Sequence, residues 1–158
     1  MALFQRVDRP NLLIKVPATK PGLYAIEELI DRGINVNVTL LFSIARYEAV
    51  ADAYLLGLEA RLRRGQPLSG ICSVASFFVS RIDTAIDAEL DRLAGEQPLA
   101  VPRLAALRGR VAIANAKLAY ASYQAQVTSA RWRWLAESHG ARPQRPLWAS
   151  TSTKNPAY

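Results

Sequence analysis

A chain of 158 residues, 51% hydrophobic and 21% charged, has the size and composition of one globular domain with its own core, and no apolar run in it approaches the ~20 residues that span a bilayer. The single cysteine, Cys72, excludes an internal disulfide, and the opening MALFQRVDRP lacks a secretory layout, so the chain reads as cytoplasmic and off the membrane. A net charge of +7 matches a nucleic-acid binder in magnitude but not in distribution: the arginines fall in short dispersed groups (Arg61, Arg63, Arg64; Arg108, Arg110; Arg131, Arg133) with no interleaved aromatic platform, which favours a solvated basic surface.

Residues 11–16 (NLLIKV) form a nearly continuous apolar run that stops at Pro17, the pattern of a strand covered on both faces in a parallel sheet. Over 21–32, Leu23, Ile26, Leu29 and Ile30 recur at helical spacing, and Gly33 stands where a C-terminal cap glycine belongs. Residues 34–42 (INVNVTLLF) read as a second strand, after which Ser43 caps a helix running to about Arg64. The loop RRGQPLSG leads to a third apolar strand, 71–79 (ICSVASFFV), and 83–93 is a helix broken by Gly95 and Pro98. Residues 104–138 are expected to be wholly helical, and 146–152 (PLWASTS) to form a fourth strand leading into TKNPAY. With no repeat, low-complexity segment or linker, residues 1–158 make a single domain.

Strands alternating with helices through short connections predict an α/β fold, with parallel strands joined by crossover helices. Four such strands are about half of a (β/α)8 TIM barrel, which typically takes ~250 residues. An open doubly wound sheet fits the same pattern, although the glycine-rich phosphate fingerprint after the first strand is missing. A strand near each terminus, with no helix after the last, suggests a partial barrel.

Lys15 is the most informative residue. Near the end of an apolar strand its charge is costly to bury, and a desolvated, neutral amine is what attacks a carbonyl to form a Schiff base. The plainer alternative is a lysine whose stem packs along the strand while its head reaches water. Asn35, Asn37 and Thr39 alternate on one face of the second strand, opposite Ile34, Val36 and Val38, and either point into the space Lys15 points into or merely face solvent. Ser76, Phe78 and Ser80 share a face of the third strand, with Arg81 at its C-terminal end, where barrel sites lie and where arginine suits a phosphate. Ser150, Ser152 and Lys154 form a second polar, basic group at the end of the fourth strand. His139, beside Gly140, reads as a surface or capping residue and Cys72 as a small buried one, and no residues have metal-ligand spacing.

In order along the chain, NLLIKVPAT, PGLYAIEELIDRGINVNVTLLFS, VASFFVSRID, GRVAIANAKLAY and QRPLWASTSTKNPAY resemble the diagnostic blocks of the larger bacterial transaldolases, over nearly the whole length. The resemblance implies a TIM barrel that works without a cofactor. Its activity would be transfer of a dihydroxyacetone unit between phosphosugars of the pentose phosphate pathway: sedoheptulose 7-phosphate, fructose 6-phosphate, glyceraldehyde 3-phosphate and erythrose 4-phosphate. Carried across residue by residue, it makes Lys15 the Schiff-base nucleophile. Asn37 and Thr39 would orient the donor and the water used in proton transfer, Ser76 and Phe78 would line the sugar site, and Arg81, Ser150 and Lys154 would hold the phosphate. Family members place three strands before the lysine strand, with an aspartate and a glutamate for proton transfer, whereas ten residues precede Asn11 here. A central-to-C-terminal fragment with little turnover of its own is the expectation, its unpaired sheet edges inviting self-association. The competing readings are a non-catalytic half-barrel that pairs with itself or with a missing N-terminal part, and a basic nucleic-acid binder.

Overall fold

The computed structural model describes residues 2–155. After a short helix α1 (Ala2–Val7), strand and helix alternate as β1 (Ile14–Pro17), α2 (Lys20–Asp31), β2 (Val36–Leu41), α3 (Ile44–Arg63), β3 (Ser73–Phe78) and α4 (Ser80–Glu96). A 3-10 turn (Pro98–Ala100), helices α5 (Val101–Ala105), α6 (Val111–Val127) and α7 (Ala130–Arg133), and a π-helical turn (Trp134–Ser138) lead to β4 (Arg145–Ala149). All pairings are parallel and the strand order is the sequence order, β1-β2-β3-β4. This is the α/β repeat of a TIM barrel in partial form, an open sheet with β1 and β4 at its edges and no closure among the described residues.

Register decides which side chains share a face. Lys15 pairs with Asn37, Asn37 with Val74 and Val74 with Arg145; one step along, Val16 pairs with Val38, Val38 with Ala75 and Ala75 with Pro146. Val16, Val38, Ala75 and Phe77 turn toward the helices, buried in one core with Ile26 and Ile30 of α2 and Tyr47, Val50, Tyr54 and Leu58 of α3. The Lys15 set faces the other way, and Lys15 and Arg145 are exposed there. Gly57 permits the close approach of α2 and α3, since a Cβ at that position would stand 2.7 Å from the Glu27 carbonyl oxygen and 2.8 Å from Ile30 Cβ.

Helix ends follow the local chemistry. Thr19 caps α2, its hydroxyl accepting from the Gly22 N–H, and Gly33 follows the helix at φ +84°, which a side chain disfavours. Ser43 caps α3 and accepts from the Arg46 N–H, as the sequence implied. The strands are shorter than their apolar runs, because residues 11–13, 34–35 and 71–72 precede the ladders they lead into. Two expectations are corrected. The helix expected at 83–93 begins at Ser80 and continues through Gly95 to Glu96; Gly95 has open space around it and costs only its backbone entropy. The stretch 104–138 is not one helix: it breaks at 106–110, where Gly109 takes φ +66°, and again at Ser129, which caps α7.

The end of β2 departs from regular alternation. The β2–β3 register slips between Val38 and Leu41, and Leu40 sits in the left-handed region at φ +63°. The extra residue reverses the phase of the strand beyond it: Leu40 is exposed, while Leu41 is fully buried and pairs with Phe77 of the core face. Phe42 is thereby delivered to the same side as Asn37.

Candidate active site

Lys15, Asn37 and Ser76 lie on three neighbouring strands and face away from the helix layer. Lys15 and Asn37 are direct register partners, and the Ser76 hydroxyl donates to Asn37 Oδ1 at 2.7 Å, which orients that amide from across the ladder. Ser76 is buried and Asn37 half-buried, whereas Lys15 is exposed, which matches the plainer of its two readings, and the described residues do not supply the burial that the Schiff-base reading draws on. Thr39, opposite Pro17, is buried one step nearer the C-terminal end of β2. Asn35 is occupied structurally: its Oδ1 accepts the Cys72 N–H at 2.8 Å. No strand of this sheet carries a carboxylate among its residues.

A second group forms at the C-terminal ends of β3 and β4. The Ser80 N–H donates to the Ser150 carbonyl at 2.8 Å and their hydroxyl oxygens are 2.8 Å apart, so the start of α4 is fastened to the end of β4. Ser150 holds that position at φ +55°, a strained value for a serine. Arg81 places its guanidinium carbon 5.0 Å from the centre of the Phe78 ring, and Phe78 in turn packs against Phe42 at 5.4 Å with 41° between ring planes. Asn115, on α6, donates from Nδ2 to the Phe42 carbonyl at 2.9 Å. Phe42 and Asn115 were not singled out from sequence, because the phase reversal at Leu40 that brings Phe42 to this side is not visible as periodicity.

Lys154 shares a cleft with only one member of this group, Ser80. Its ammonium donates to Ser152 Oγ at 2.9 Å, and both residues line a cleft of about 430 Å³ beside α4 that also contains Asp83, Asp87 and Asp91. None of Lys15, Asn37, Ser76, Phe78 or Arg81 lines that cleft, and its carboxylates oppose an anionic ligand, so the open sheet face is the better candidate. His139 ends the π-helical turn with its ring edge-on to Trp134, a capping position as expected. Cys72 is half-buried rather than buried, because it lies at the foot of β3 where Arg142 reaches its sulfur at 3.4 Å. No group of three or more metal-ligating side chains occurs among the described residues, and no helix there is long and apolar enough to cross a membrane.

Parallel strands in sequence order, with polar side chains gathered on the face away from the helices and at the strand ends, are the mark of an α/β-barrel protein. A family model described as transaldolase/fructose-6-phosphate aldolase matches residues 1–158, and the chain belongs to that family. It is 57% identical over 155 residues to a transaldolase of Thermobifida fusca and 54% identical over 155 residues to one of Parafrankia, in each case over 98% of this chain and 40% of the relative. A transaldolase of Mycolicibacterium smegmatis is 55% identical over 156 residues, 99% of this chain and 40% of the relative. The chain thus spans about 40% of the length of the curated relatives it matches.

Proposed function

We propose that this polypeptide is the Schiff-base portion of a transaldolase. The amine of Lys15 attacks the C2 carbonyl of a ketose phosphate and water leaves; the resulting iminium accepts the electron pair released when the C3–C4 bond breaks. The aldose phosphate departs as its C4 hydroxyl gives up a proton, the retained dihydroxyacetone unit adds through C3 to the aldehyde of an acceptor, which takes up a proton, and water hydrolyses the product iminium to free Lys15. Fructose 6-phosphate and sedoheptulose 7-phosphate are the donors, and erythrose 4-phosphate and glyceraldehyde 3-phosphate the acceptors. The observation that carries this reading is the shared face of Lys15, Asn37 and Ser76, with Ser76 bonded to Asn37, which sets an amide and a hydroxyl beside the one amine on the sheet. Arg81 at the rim supplies cationic charge for the phosphate, and Ser150 polar groups beside it; Lys154 would join them only if the segment after β4 turns inward.

Because β1 to β4 carry no Asp or Glu, the proton transfers need a carboxylate from outside this sheet. The chain by itself is therefore expected to form the imine without efficient turnover. Borohydride trapping with fructose 6-phosphate, read by intact mass, tests this. A single adduct abolished by Lys15→Ala supports the reading; an unmodified wild-type chain of native circular dichroism removes it. The outer edges of β1 and β4 also favour self-association, because each presents unpaired backbone groups to a neighbouring chain.

A further inference from the structure

The Phe42 ring is half of an aromatic pair whose other member carries Arg81. Three contacts run in series: Asn115 Nδ2 to the Phe42 carbonyl (2.9 Å), the Phe42 ring to the Phe78 ring (5.4 Å), and the Arg81 guanidinium over the Phe78 ring (5.0 Å). Phe42 is 38% exposed, so fold stability alone does not account for an aromatic ring there. Its place depends on a costly backbone feature. Leu40 adopts φ +63° and the register slips between Val38 and Leu41; without that slip Leu41 would turn outward and Phe42 toward the helices, away from Phe78. Strained residues of this kind persist where the surrounding structure holds them, and they gather at binding sites.

We infer that Phe42 is a positioning residue for phosphate recognition: it fixes the Phe78 ring, which fixes the plane of the Arg81 guanidinium, and Asn115 anchors the series to α6. The inference rests on the phosphosugar reading of the strand ends. With its central carbon 5.0 Å over the Phe78 ring centre, the guanidinium keeps N–H donors for an oxyanion, which an arginine fork can grip with two parallel hydrogen bonds. Among the described residues no carboxylate forms an ion pair with Arg81. The charge is thus held in place by rings that do not neutralise it.

The test follows the Arg81 side-chain resonances by NMR while inorganic phosphate is titrated into the intact chain and into Phe42→Ala, Phe42→Leu, Phe42→Tyr and Arg81→Ala. In the wild type the Arg81 methylene and Nε–H signals should be shifted upfield by the Phe78 ring. Phe42→Ala should move them toward random-coil positions and weaken phosphate binding roughly two- to fivefold, the scale of one exposed cation–π contact. Phe42→Leu keeps apolar bulk without a ring and should behave like Phe42→Ala, and it decides the matter if the alanine variant does not fold. Phe42→Tyr should match the wild type. Unchanged Arg81 signals and phosphate affinity in a folded Phe42→Leu overturn the inference, as does wild-type phosphate binding that is absent or survives Arg81→Ala. Fructose 6-phosphate trapping run in parallel separates the two ideas. Failed trapping with the expected shifts removes the Schiff-base reading alone, and trapping without them removes the positioning role alone.

Discussion

Tyr54 lies in the core with its hydroxyl donating to the Arg142 carbonyl at 2.7 Å, and burial pushes its phenol well above the ordinary 10.0. Burial raises the Tyr47 phenol as well, yet Tyr47 Oη has no hydrogen-bond partner among the described residues. The two tyrosines therefore separate a satisfied from an unsatisfied buried hydroxyl. Tyr54→Phe is expected to lose about 1 kcal/mol at neutral pH, whereas Tyr47→Phe should lose nothing or gain slightly, as urea unfolding would show. For both phenols the folded value lies above the unfolded one. The linked stability is thus complete below pH 10 and is lost as pH rises beyond it, and the phenolate absorbance of these two tyrosines, isolated by difference against Tyr47→Phe and Tyr54→Phe, should appear together with unfolding rather than before it. In Tyr54→Phe the decline of stability with alkaline pH should be shallower.

Leu40 and Leu41 show what the periodicity of an element can and cannot reveal. Both belong to one apolar string, but the bulge gives them opposite fates, one 41% exposed and the other fully buried. Leu41→Ala should cost about 2–5 kcal/mol by leaving a cavity against Phe77, and Leu40→Ala under ~1 kcal/mol, measured by thermal unfolding. Leu40→Gly relieves the positive φ and should be neutral or stabilising. The βα alternation, the caps at Ser43 and Gly33, and the alternation that puts Asn37 and Thr39 on one face of β2 were legible because each is written in local chemistry or a simple period, whereas the pairing of Asn37 with Lys15 came from the register. The bulge was not, because Thr39-Leu40-Leu41 continues an ordinary β-rich string and only the tertiary demand for Leu41 beside Phe77 selects the slip. The break at 106–110 was missed for a similar reason: Arg108-Gly109-Arg110 sits between good helix formers, and its left-handed turn directs α6 back against β4. Of the candidate site, Lys15, Asn37, Ser76, Phe78 and Arg81 could be named in advance, but their support from Phe42 and Asn115 emerged only in three dimensions.

At the scale of the molecule, unpaired edges and a net charge of +7 act against each other. Edge backbone groups favour contact between copies, while like charge holds the copies apart over roughly 10 Å at 0.1 M salt. Association read by sedimentation velocity is expected to rise with both protein concentration and ionic strength. An association that weakens as salt is added would show that charge pairing, not edge pairing, joins the copies. The apolar groove formed by Ile113, Tyr120 and Trp148 beside β4 lies next to one such edge.

The coincidence of spatial order with chain order has one more consequence. Every strand pairs only with its neighbours in the chain, so a single break in a connecting loop cuts one covalent link and leaves every ladder intact. The exposed segment 63–67, which ends α3 and leads toward β3, contains Arg63 and Arg64, residues of the type after which trypsin cuts. A nick there would leave two halves, each an intact strand-and-helix pairing, held by the β2–β3 ladder and the shared core. Such halves should travel together on a sizing column and part only in denaturant. The molecule could in that sense be reassembled from modules, much as a zip fastener closes after a tooth-wide gap.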